Sequence, residues 1–522
     1  KQRQAKIVAI AGQSGERERE SYNLEKKSNF LEKLKKHQKQ FMIFGIILLF
    51  CIIICSPMLQ FHIASDTYNL MDLGYFEYPS QYFLKDARIV STLVMYIAGI
   101  LHLPYEVFIV LMEILAVIIV SLSIYYIYKT INEKIKINSN IKTALVIMAA
   151  FILIFNCMSL EYLLYAECSV MCLSVFLSIM AARTFTSNKK YKILKSIILV
   201  IIATFCYQGA VNIFLPLTIL FLFIDQNRKT TKEMVKQIVL ACVIIGVAYL
   251  INVFSIYMIN TILGEEQTRT GGLLNNLIHA DILLSYIFSS ILIFNYDLWP
   301  NGITLVFIAM TIIILLSQKN RVKNVLSYIV LVLFAFTICA VPLFFMASPS
   351  MEPRMAMSAG AIVGMSFIYL LSTEYDKKIF EYIISTVIVL FFVFNAINTI
   401  QIYSAHIAGN KIDANMGMTI KYRIEKYEKE SGNTISKVAY YRDKNHRDYH
   451  YGWDKKLSSF GQRAFDNYYC IIEALNYYCD RDFERANMTK EMYNTYFAGK
   501  DWNAYSDEQI VFEGDTMYIC TY

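Results

Sequence analysis

The chain has 522 residues, 56% of them hydrophobic and 17% charged, and its 49 basic and 42 acidic side chains leave a net charge of +7. A soluble protein of this length carries about a quarter charged residues, so a chain of three ordinary soluble domains is excluded. The positive charge calls for no nucleic-acid partner, because basic residues gather at membrane edges. Eleven cysteines fall mostly inside apolar runs, as at Cys51, Cys55, Cys172 and Cys242. They read as small hydrophobes with no metal-type CxxC pairing, and a bond between Cys470 and Cys479 is left open.

Residues 1–40 form a polar segment with a basic run through Lys26, Lys27, Lys33, Lys35, Lys36 and Lys39. The chain opens on Lys1 rather than Met. No cleavable signal is expected, since the charged region is too long and no small-residue cleavage site follows the first apolar run. Apolar runs then predict spans near 41–60, 104–128, 141–157, 164–184, 192–207, 209–225, 236–263, 300–318, 324–346, 354–372 and 379–402. Most are long enough to cross a hydrocarbon layer of about 30 Å. The expectation is a mainly α, polytopic bundle of about eleven spans over 41–402.

Basic residues test this layout. The N-terminal-side connections hold eighteen, in groups at Lys129 to Lys142, Arg183 to Lys195, Arg228 to Lys236, Lys319 to Lys323 and Lys377 to Lys378; the opposite connections hold Lys85, Arg88, Arg269 and Arg354. That asymmetry predicts a cytoplasmic N-terminus and an outward C-terminal region. Among the outward segments, 61–103 contains an apolar piece from Ile89 to Leu101, and 264–299 another from Ile282 to Phe294, each suited to the interface. Residues 403–522 are expected to form a small extracytoplasmic α/β module. It has a strand at Lys437 to Tyr441, helical character near Phe465 to Tyr478, and a hairpin from Gln509 to Ile519 about Gly514-Asp515.

Nearly all residues suited to chemistry lie in the outward connections. Asp66, Asp72 and Asp86 follow the first span, where the head group of a lipid-borne substrate arrives and a carboxylate can take a proton as general base. The choice among the three stays open. The alternative account is that outer loops are polar anyway. Tyr207 and Gln208 stand at an outer turn and can bind sugar hydroxyls, or Gly209 simply makes a tight turn beside an interfacial Tyr. Arg354, after Ser348-Pro349-Ser350-Met351-Glu352-Pro353, can grip a phosphate through its forked donors, or it snorkels at a helix end. Glu161 and Glu167 flank a helix entrance. Glu167 lies inside an apolar stretch where burial is costly and function becomes the reading. His279 and Asp281 suit a solvated face better.

Acidic residues just after the first span, then Tyr207-Gln208, Pro353-Arg354, and an outer tail with Gly499-Lys500-Asp501-Trp502 and a final hairpin occur in a familiar order. From about residue 40 onward this pattern resembles the bacterial integral-membrane glucosyltransferase domain family of serotype-converting, GtrII-like type, in the GT-C class. One departure is that Asp66 is followed by Thr67, with the next acid at Asp72, rather than by a second acid. The resemblance implies a glycosyltransferase that moves a glucosyl or similar hexosyl group from a polyprenyl-phosphate donor to a cell-surface or lipid-linked glycan on the outer face. The transfer needs no nucleotide site. On that basis Asp66, Asp72 or Asp86 serves as base, Arg354 with Arg88 holds the departing phosphate, and Glu167, Tyr207 and Gln208 bind sugar. No cofactor is required by the sequence, and a role for a divalent metal is left open.

Two other functions fit a multispan chain. A lipid-linked sugar flippase or transporter would place charge deep within several spans and show an internal repeat, whereas most of these spans are clean and no internal repeat is seen. A polysaccharide polymerase is the nearer enzymatic rival.

Overall fold

The computed structural model describes residues 38–135, 137, 139–225, 230–264, 272–318, 320–346, 352–375, 378–442, 458–500 and 506–521. Most of the N-terminal basic run, Ser348 to Met351, Asp501 and Trp502 lie outside the described residues. So do Lys136, Arg228, Lys229, Arg269, Lys319 and Lys377.

Seven helices are long and apolar enough to cross a membrane: Gln38–Met58, Tyr105–Ile135, Cys168–Phe185, Thr231–Leu263, Arg321–Phe344, Pro353–Ser372 and Lys378–Ser431. Each coincides with one of the expected spans. The other four expected spans form shorter helices, Asn140–Ile154, Lys192–Cys206, Gln208–Phe223 and Ile303–Leu316. At 1.5 Å per residue such pieces reach about 21–24 Å, short of the ~30 Å layer. By length and composition seven helices among the described residues suffice to cross on their own, and the expected count of about eleven is not confirmed.

We label the elements that build the site α1 (Gln38–Met58), α2 (Ser65–Tyr82), α3 (Ile89–Ile100), α4 (Tyr105–Ile135), α5 (Asn140–Ile154), α6 (Cys168–Phe185) and α7 (Lys192–Cys206). The apolar piece expected at Ile89 to Leu101 is α3, and it packs on α2 so closely that a Cβ at Gly99 would overlap Tyr75 and Phe76. Gly74, at φ +79°, breaks α2 where a residue with a Cβ would be strained. Between α5 and α6 the chain does not leave the protein. Every residue from Phe151 to Cys168 is buried. A connection buried this deeply must satisfy its own backbone, and Asn156 contributes by donating to the Leu153 carbonyl at 2.8 Å and accepting from the Met158 N–H at 2.9 Å.

The helix Lys378–Ser431 has 54 residues, about 80 Å of continuous helix, and runs unbroken past the expected end of the apolar segment at 402. It leads into a four-stranded sheet formed by β1 (Lys437–Arg442), β2 (Glu484–Ala486), β3 (Ile510–Glu513) and β4 (Thr516–Thr521) in the order β2-β1-β4-β3. β1 is parallel to both its neighbours, and β3 and β4 form the expected antiparallel hairpin, with Gly514 at φ +60° in the turn. The expected helix begins later than Phe465, at Ile471–Cys479. Cys470 and Cys479 are buried free thiols.

The sheet's core includes Ile63 and Tyr68 from the entry to α2, packed with Ile420, Phe465, Leu475 and Ile519. Tyr68 and Tyr478 join their hydroxyls at 2.9 Å, and Asn410 clamps both backbone groups of Ile63 at 2.7 and 2.9 Å. The C-terminal module thus grips the segment that carries the first acidic candidates.

Candidate active site

Four connections deliver ionisable side chains to one place: the entry of α2, the turn between α2 and α3, the buried linker between α5 and α6, and the turn at 352–356. Asp66 stands in the first turn of α2, where the helix dipole favours a carboxylate. Ala87, at φ +54°, turns the chain in the left-handed region and leads directly into Arg88. The linker brings Glu161 on a short 3-10 turn and Glu167 at the cap of α6.

Arg88 forms one half of the site. Its guanidinium lies over the Tyr207 ring at 5.0 Å, with Asp86 at 3.6 Å and Glu167 at 3.9 Å. The Gln208 amide donates to the Asp86 carbonyl, which ties the turn before α3 to the turn after α7. Tyr249 donates to the Asn212 side chain, and Asn212 donates to the Met355 carbonyl at 3.2 Å. The turn at 207–212 is thereby bound to the turn that carries Arg354.

Arg354 forms the other half. Its Nη1 donates to Glu161 Oε2 at 2.9 Å and to the Tyr165 hydroxyl at 2.6 Å, and its guanidinium stacks on the Tyr165 ring at 4.8 Å. Tyr162 holds the backbone by donating to the Arg354 carbonyl at 2.6 Å. The C-terminal module closes over this half, with the Ser459 N–H donating to Glu161 Oε1 at 3.3 Å and the Tyr165 hydroxyl donating to Ser459 at 3.3 Å.

The two halves share one electrostatic field. The charge of Asp66 acts on Tyr78, Tyr165, Glu167 and Glu352, and Arg88 and Arg354 act on each other. Burial pushes the Glu167 carboxyl up to about 7; Arg88 pulls it down and Asp66 pushes it further up. Burial likewise raises Glu352, with Arg354 opposing and Glu161 and Asp66 adding. Two arginines among several carboxylates, walled by tyrosines, can hold a phosphate and a sugar together and accept a proton beside them. Among the described residues, no three His, Cys, Asp or Glu side chains group to hold a metal ion.

Of the candidates read from the sequence, Asp66, Asp86, Arg88, Glu167, Tyr207, Gln208 and Arg354 converge here. Asp72 does not. It is exposed on α2 and accepts from Asn476 of the C-terminal module at 2.9 Å. His279 and Asp281 are exposed at the helices after residue 272. Sequence reasoning missed Tyr78, Tyr162, Tyr165 and Ser459, which no motif marks. Glu161 had been noted only as a helix-entrance charge, yet it pairs with Arg354.

A model of the family described as glucosyl transferase GtrII matches residues 58–371, more than half of the chain. The chain belongs to the glucosyl transferase GtrII family. No curated protein matches it. The GtrII match contains every converging candidate from Asp66 to Arg354 and stops before the 54-residue helix and the sheet. A membrane-embedded protein of a glucosyltransferase family is what the seven apolar helices and the cluster describe.

Proposed function

We propose that the chain transfers a glucosyl or similar hexosyl group from a polyprenyl-phosphate donor to a glycan at the outer face of the bacterial plasma membrane. The observation that carries this reading is the convergence of Arg88 and Arg354 with Asp66, Glu161 and Glu167 at connections on the side poor in basic residues. A lipid phosphate needs fixed cations, and Arg supplies them as planar forks. The family match supports glucosyl as the group moved. The eighteen-to-four basic asymmetry supports an inward N-terminus and an outward site and C-terminal module over 403–522.

In this reading Asp66 takes the proton of the acceptor hydroxyl, with Asp86, which lies 3.6 Å from Arg88, the other outer-loop acid that can serve. The acceptor oxygen bonds to C1 of the sugar as the C1–O bond to phosphate breaks. The polyprenyl phosphate leaves with the electron pair, and Arg354 and Arg88 stabilise its charge. Glu167, Tyr207 and Gln208 bind sugar hydroxyls, and the module above Ser459 shapes the acceptor cleft. In-line attack inverts the anomeric centre.

Membranes containing the chain, given labelled polyprenyl-phosphate glucose and isolated surface glycan, test this. Label is expected to move to glycan and to stop moving in Asp66→Asn at unchanged protein level. Full activity of that variant removes Asp66 as base. Label that only changes leaflet points to a flippase, and growing lipid-linked chains point to a polymerase.

A further inference from the structure

A second group of buried polar side chains lies beneath the carboxylate cluster, unused by the transfer as drawn. Glu113, within α4, is fully buried, and its Oε1 is 3.3 Å from His62 Nε2. The Cys168 side chain lies beside the same carboxyl, whose Oε2 is buried with no hydrogen-bond partner among the described residues. His406, on the long helix, meets the His62 ring edge-on at 5.3 Å and packs against Phe460. His62 Nδ1 and His406 Nε2 are buried with no hydrogen-bond partner among the described residues. Ionisable groups buried in this way are costly and by default mark a function.

What these residues touch indicates that function. His62 stands four residues before Asp66, at the entry that Asn410 clamps. Cys168 immediately follows Glu167. Phe460 immediately follows Ser459, whose N–H reaches Glu161. One buried knot therefore joins the entry that delivers Asp66 to the linker that delivers both Glu161 and Glu167, and through Phe460 it adjoins Ser459, which bonds Glu161. Pure packing would use apolar residues more cheaply at such a place.

We infer that His62, Glu113 and His406 are positioning residues for the transfer, fixing the mutual spacing of Asp66, Glu167 and Glu161 without touching donor or acceptor. The inference rests on the reading of that cluster as the active site. A misplacement of about 1 Å at reacting groups costs roughly 100-fold in rate.

The full chain in lipid vesicles, with polyprenyl-phosphate glucose and isolated surface glycan, provides the test. Glu113→Leu keeps the volume but loses the polar contact with His62, and kcat is expected to fall about 100-fold with the donor KM within about two-fold of native. Glu113→Gln keeps an oxygen for His62 and is expected to recover to within about five-fold of native. His62→Leu combined with Glu113→Leu is expected to lose no more than either alone, because the two act in one network. A kcat within two-fold of native in Glu113→Leu overturns the inference. So does a loss that Glu113→Gln fails to rescue. Where Glu113→Leu does not accumulate, His62→Leu alone carries the test, with about a ten-fold fall expected and no change overturning the inference. Asp66→Asn serves as control. Loss there with full activity in Glu113→Leu defeats only the positioning role, whereas full activity of Asp66→Asn defeats the reading of the cluster and the inference with it.

Discussion

Arg354 Nη1 lies 2.9 Å from Glu161 Oε2 although 193 residues separate the two in the chain. Glu161 is fully buried, so this bond fixes the direction of the guanidinium and ties the turn at 352–356 to the linker between α5 and α6. Breaking a buried pair from one side leaves a charge without compensation.

Arg354→Lys should therefore keep the positive charge but lose the fork that reaches Glu161 and Tyr165 together, and lose the stacking on Tyr165. Initial transfer rates are expected to fall about 10- to 100-fold, with protein level near native. Glu161→Gln should cost stability as well, about 2–3 kcal/mol given that Arg354 retains some solvent contact. Thermal unfolding in detergent measures it.

The rate should depend on pH through Glu167, whose carboxyl burial pushes up to about 7. The ionised form accepts hydrogen bonds from sugar hydroxyls, so the donor KM is expected to rise as pH falls below about 7 and Glu167 gains its proton. Glu167→Gln should flatten that rise between pH 5.5 and 8, settings chosen around a midpoint of about 7. In Arg88→Gln the midpoint should move upward, because Arg88 is the group that holds the proton off. An unchanged midpoint in Glu167→Gln would assign the titration to another group.

Gly364 tests the packing that supports the site. A Cβ there would overlap the backbone of Leu153 in α5, and a backbone cannot swing aside as a side-chain tip can. Gly364→Ala should destabilise by about 1–3 kcal/mol. Gly246→Ala, where nothing lies within 4 Å of the new methyl, should be neutral or stabilising. Comparing the folded fraction of the two variants by size-exclusion chromatography checks the contrast.

The closure over Glu161 depends on Asp413, which accepts from Arg463 Nε at 2.6 Å and from the Ala464 N–H at 3.0 Å. Arg463→Ala leaves that buried carboxylate without its cation and is expected to cost about 3 kcal/mol or more. Proteolysis of the segment 458–466 should accelerate, and transfer should slow as Ser459 withdraws from Glu161. Adding Asp413→Asn should restore part of the protection, since the uncompensated charge is then gone.

Much of this architecture was legible in the residues. Apolar runs of sufficient length announce helices whatever their neighbours, because an unpaired backbone cannot remain in lipid. Gly514-Asp515 between two alternating apolar runs announces the hairpin for an equally local reason. The candidates Arg88, Glu167, Tyr207, Gln208 and Arg354 were legible because charge or a polar turn at the edge of an apolar run is conspicuous. Glu113 carried the same signal, a lone carboxylate inside a span, and was overlooked among longer loops. The count of crossings was less legible. Runs such as 141–157 read as full-length spans, yet α5 ends at Ile154, where Asn156 caps the chain and leads it into the buried linker.

By itself the sequence determined that the chain is a membrane protein, where its apolar helices lie, and which connections concentrate acid and arginine. Those properties follow from local hydropathy and from the cost of leaving backbone or charge unsatisfied. Only the tertiary structure decided which of those groups meet. Asp66 and Asp72 are six positions apart on one helix, yet the charge of the first acts on Tyr165, Glu167 and Glu352 and the second is exposed and bound to Asn476. Glu161 finds Arg354 because a buried linker folds back against a turn nearly two hundred residues away. Partners at that separation are chosen by packing, which no local pattern encodes.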